Sequence, residues 1–189
     1  MGQRFVFLVG FMAQVCSMQR FFLILSAILL GLSAEGQIDD LNVRLAGEES
    51  EWVLVGACDR EGLAEAPFHD LFPMAENFLE HETAAELGSA LEEVSLVLFL
   101  GTWCEDSHEQ VPQLLAALDA ANVPTNGEDA ARWQMICVDE NKIEPAAFIA
   151  ERSVQYVPTL VLMRGDDELG RIVETPEVSW AQDILRLLR

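Results

Sequence analysis

The sequence predicts an α/β domain with the element order βαβαββα, and three observations carry that reading. An apolar run, Leu96 to Leu100, passes through Gly101-Thr102-Trp103-Cys104 straight into a helical stretch. A second apolar run, Trp133 to Val138, follows an acidic loop containing Pro124, Asn126 and Gly127. The C-terminal part then offers two short strands about a Gly165-Asp166-Asp167 turn and closes on a helix.

The elements can be justified in order. Arg20 precedes the apolar run Phe21 to Leu32, which ends in small residues and Ala34-Glu35-Gly36. That composition is expected of a signal peptide, so residues 1–36 are read as cleaved, with Met1 or Met18 as the start. Neither this run nor the earlier one, Phe5 to Met12, reaches the roughly 20 apolar residues of a spanning helix. Residues 37–93 read as an N-terminal extension. Within it Trp52 to Ala57 alternates like a short strand, and Phe68, Leu71, Phe72, Ala75, Phe78 and Leu79 fall at helical spacing up to Glu82. Thr83-Ala84-Ala85-Glu86 has the pattern of a capping box opening another helix.

From residue 94 onward the regular domain begins. Strands are expected over Leu96–Leu100, Trp133–Val138, Thr159–Met163 and Leu169–Glu174. Helices are expected over about 104–121, 145–152 and 177–188.

Composition narrows the function classes. An apolar fraction of 51% over 189 residues supports a folded core. Eleven Lys+Arg against 32 Asp+Glu give a formal charge of −21, which repels phosphate backbones and anionic lipid heads. No nucleic acid is therefore expected as a partner, and no membrane once the signal segment is gone; oligomeric state stays open. Cleavage would leave three cysteines, Cys58, Cys104 and Cys137. An odd count in an exported chain leaves at least one thiol free or paired with another molecule.

Cys104 draws attention by position. A strand that ends at Gly101 and runs into a helix sets the sulfur at the helix start, where unpaired N–H groups and the macrodipole favour negative charge. Such a cysteine is expected to be reactive rather than a packing residue. His108, four residues on, shares its helical face, but two ligands do not make a metal site.

Residues 94–189 resemble the thioredoxin superfamily. Trp103-Cys104-Glu105-Asp106-Ser107 is similar to its active-site motif, Pro112 to the proline in the active-site helix, and Asp139 to the acid after the next strand. Val157-Pro158-Thr159 resembles the segment in which a cis proline faces the nucleophile, and Gly165-Asp166 the last turn. The resemblance implies a thioredoxin-like three-layer sandwich with an N-terminal helical elaboration. Ser107 stands where the family's second cysteine would be, and Leu98 and Met135 stand near its buried acid and lysine. The form Trp-Cys-x-Asp-Ser resembles a single-cysteine bacterial subgroup.

The resemblance implies thiol–disulfide exchange of the monothiol type, without an organic cofactor or metal, in an exported, periplasmic setting. Cys104 would be the nucleophile, Ser107 its hydrogen-bond donor and Pro158 its neighbour. Trp103, Val157 and Thr159 would contact a protein or small-molecule thiol or disulfide. Cys58, in a polar stretch beside Asp59 and Arg60, is the candidate resolving thiol, and Cys137 reads as a core residue. A non-redox module that grips extended peptide beside Pro158 is the alternative, and metal delivery through Cys104 and His108 a third.

Overall fold

In the computed structural model residues 41–73, 75, 80–127 and 130–189 are described. The expected signal segment, residues 1–36, lies outside them, as do Phe78 and Leu79 of the expected amphipathic helix.

Short extended pieces open the described chain. β1 (Arg44–Leu45) pairs antiparallel with β2 (Val53–Leu54). β3 (Gly56–Cys58) then enters the main sheet, and Asp59 caps α1 (Arg60–Ala64) by accepting from Gly62 N at 2.9 Å. The expected helix over 68–82 is not formed in the described residues 68–73, and only its last two residues, His81 and Glu82, are helical, at the start of the next helix. Phe68 to Phe72 make only turns, because Pro67 and Pro73 bracket a stretch too short for a helix and lack the N–H a ladder needs. α2 (His81–Ala90) begins two residues before Thr83, with Glu80 at the N-cap and no side-chain cap, so the expected capping box is not used.

The remaining elements follow the expected order: β4 (Ser95–Leu100), α3 (Glu105–Ala120), β5 (Trp133–Cys137), α4 (Ala146–Arg152), β6 (Thr159–Arg164), β7 (Asp167–Val173) and α5 (Trp180–Leu187). The sheet order is β3-β5-β4-β6-β7, with β4 and β5 parallel and the other pairs antiparallel. A two-residue turn joins β6 to β7, where Gly165 adopts φ 59.

Side-chain alternation divides the core. Leu96, Leu98 and Leu100 of β4, with Met135 and Cys137 of β5, meet Leu87, Leu114, Leu118, Trp180 and Ile184 from α2, α3 and α5. Phe99, Ile136, Val138 and Val161 point the other way, toward Phe148 and Ile149 of α4. The architecture is thus a mixed central sheet with helices on both faces. Each fully buried leucine contributes about 2 kcal/mol. Among the described residues no helix is long and apolar enough to cross a membrane.

Candidate functional site

The end of β4 builds the surroundings of Cys104. Gly101 is required there, since a Cβ would stand 2.7 Å from the Trp103 ring. That ring is fixed from two sides: Nε1 donates to the Val138 carbonyl at 2.9 Å, and the Lys142 ammonium lies 4.9 Å from the ring centroid. Cys104 is the N-cap of α3, but its side chain makes no capping bond. Its Sγ donates instead to the carbonyl of Val157 at 3.2 Å.

Ser107 does not meet the sulfur as expected. It is fully buried, and its Oγ accepts from Gly101 N at 3.2 Å, tying the helix to the end of β4. His108 Nε2 lies 2.8 Å from the Thr102 carbonyl, and its ring meets Phe72 edge-on. Pro158 follows a cis peptide bond and its carbonyl accepts from Glu174 N. Thr159 is buried, its Oγ1 donating to the Tyr156 carbonyl at 2.8 Å. The segment therefore brings Trp103, Cys104, Val157 and Pro158 together, while Ser107 and Thr159 face inward as structural ties. Among the described residues no group of three or more His, Cys, Asp or Glu is placed to hold a metal ion.

The other two cysteines change the chemistry. In the β3–β5 register Gly56 stands opposite Cys137 and Cys58 opposite Met135, so the cysteines lie diagonally across the ladder. The two side chains share one face of that ladder and one core cluster, which brings the thiols close in space. Burial pushes the Cys137 thiol well above its ordinary value, and the neighbouring Cys58 thiol pushes it the same way. Both are reduced.

This contact overturns the resemblance to a single-cysteine subgroup and, with it, monothiol exchange through Cys104. The chain brings two thiols together, an arrangement capable of forming a disulfide, and Cys104 is neither of them. Nor does Cys58 stand in the Cys104 group. Cys58 and Cys137 belong to the core on one face of the sheet, whereas Cys104 packs against the core on the other. Cys58 is 6% exposed and Cys137 0%, so the polar neighbours Asp59 and Arg60 misdirected the reading of Cys58. The usable signal was parity within β3, which continues one residue past the expected Ala57: Gly56 and Cys58 are buried and Ala57 between them is half-buried.

No family model matches the chain, and no curated protein does. Among solved structures, a protein of unknown function from Pseudomonas aeruginosa is similar at a TM-score of 0.37 and 14% identity, over 66% of this chain and 98% of that one. An HIV epitope-scaffold is similar at a TM-score of 0.32 and 17% identity, over 65% and 88%.

Proposed function

We propose that the protein is a dithiol thiol–disulfide exchange protein on a thioredoxin-like scaffold, exported from the cytoplasm, with Cys58 and Cys137 as its redox couple. The observation that carries this reading is the proximity of the two thiols, diagonal neighbours on one face of the β3–β5 ladder within one core cluster. Cys58 belongs to β3, a three-residue strand at the sheet edge, and is the less buried of the two. It is the entry thiol. Its thiolate attacks a partner disulfide, one partner sulfur leaves as a thiol, and a mixed disulfide forms. Cys137 then displaces the second partner thiol, closing the internal disulfide. Two electrons and two protons pass to the partner, and the reverse sequence oxidises a partner dithiol. Diagonal neighbours have Cα atoms about 7–8 Å apart, beyond the usual disulfide range, so closure requires β3 to shift toward β5.

Equilibrating the protein in graded thiol–disulfide buffers, then trapping free thiols and mapping them by mass spectrometry, tests this. Cys58 and Cys137 should be found joined while Cys104 carries the trapping label. A pair that stays reduced at every ratio rejects the redox reading.

A second reading, peptide docking without redox turnover, draws on the surface near Cys104. Tyr156 is 55% exposed beside Val157 and Pro158, and Ile143 is 62% exposed beside the Lys142 that covers Trp103. Peptide binding that survives Cys58→Ser and Cys137→Ser but falls with Tyr156→Ala favours it.

A further inference from the structure

Met135 extends the cysteine contact to a third sulfur. Directly opposite residues of an antiparallel ladder share a face, and so do residues two apart on one strand. Cys58 is the cross-strand partner of Met135, and Cys137 lies two residues beyond Met135 on β5. All three sit in one core cluster, Cys58 at 6%, Met135 at 1% and Cys137 at 0% exposure. We propose that Cys58, Cys137 and Met135 form a soft-metal site that binds monovalent copper, Cu(I), through two thiolates and one thioether. The inference goes beyond the redox reading although it uses the same two thiols.

The donor set selects the ion. Thiolate and thioether sulfurs are soft ligands suited to Cu(I), whereas structural zinc asks for four ligands and calcium or magnesium for oxygen. Spacing agrees with this. A disulfide needs its sulfurs at about 2.0 Å, while a metal ion with bonds of about 2.3 Å, as in zinc thiolates, holds two thiolates roughly 4 Å apart. Because the ion spans this longer distance, it fits with less movement of β3 than a disulfide demands.

Binding balances without any redox step. Two S–H bonds break, two copper–thiolate bonds form, the Met135 thioether adds a lone pair, and two protons leave for solvent. Copper stays monovalent, and the complex carries one net negative charge. Because protons are displaced, affinity rises with pH. Cys58, on edge strand β3, is the least buried of the three ligands.

The test titrates the reduced protein, without oxygen, against the Cu(I)–bicinchoninate complex. Expected are one copper per chain, a sulfur-only shell in X-ray absorption, and unchanged uptake in Cys104→Ser. Cys58→Ser should lower affinity by about a thousandfold, and Met135→Leu, close in volume and able to fold, by about tenfold. Failure to compete for copper, a nitrogen or oxygen shell, or a Met135→Leu affinity equal to wild type overturns the site. Mass spectrometry of the same sample reports disulfide formation separately, so loss of copper binding and loss of dithiol exchange are told apart.

Discussion

Cys104 Sγ donates to the Val157 carbonyl at 3.2 Å, on the face of the sheet opposite the Cys58–Cys137 contact. The thiol at the most conspicuous place in the sequence is thus a tie between the start of α3 and the loop before β6. Cys104→Ser keeps a donor there and should shift stability by less than about 1 kcal/mol. Disulfide formation between Cys58 and Cys137 should be unchanged, which thiol mapping after mild oxidation checks. Loss of that disulfide in the variant would return Cys104 to the chemistry.

Thr102 links the first residues of the domain to the Cys104 segment. Its buried Oγ1 accepts from Leu54 N at 3.1 Å, and Leu54 is 0% exposed. Thr102→Val keeps the shape but strands a buried N–H, and should cost about 1–3 kcal/mol in urea unfolding. A variant as stable as wild type would show that Leu54 N finds another acceptor.

Asp183 plays the same part for the C-terminal helix. It is 2% exposed, its Oδ2 accepts from Glu177 N at 2.5 Å, and Arg186 stands 3.7 Å away. Asp183→Ala should destabilise by about 2–3 kcal/mol, and Asp183→Asn, which keeps an acceptor oxygen, by less. Equal losses in thermal unfolding would mean that charge, not hydrogen bonding, holds the segment.

Glu140 gives a pH dependence with a definite sign. Its carboxylate accepts from Ser50 N at 2.8 Å, Glu48 N at 2.5 Å and Glu49 N at 3.1 Å, and these bonds, Ser50 foremost, hold its pKa below the ordinary glutamate value. A lowered folded value means that the contribution is complete above the unfolded pKa of about 4.3 and is lost as pH falls through the folded value. Proteolysis within residues 47–50 should accelerate only in acid for wild type and already at neutral pH for Glu140→Gln. A cleavage rate independent of pH and of the substitution would refute the clasp.

Much of this molecule was legible from residues alone, because it rests on local causes. Strands β4 to β7 and helices α3 to α5 follow from apolar periodicity and from turn residues such as Gly165. The burial of Cys137 followed from its apolar strand, Met135 to Val138. Tertiary pairing decided the rest. Ser107 turned from the sulfur to Gly101 N because a fully buried hydroxyl takes the nearest unpaired backbone group. The partner of Cys58 was fixed by the register of β3 on β5, a contact between residues 79 positions apart. Motif spacing along the chain describes what a helix start does to its own cysteine. It does not describe which strand will lie beside which, since cross-strand neighbours are chosen by the packing of whole faces. For that reason Cys104 stood out in the sequence, and the Cys58–Cys137–Met135 cluster came into view only in the folded sheet.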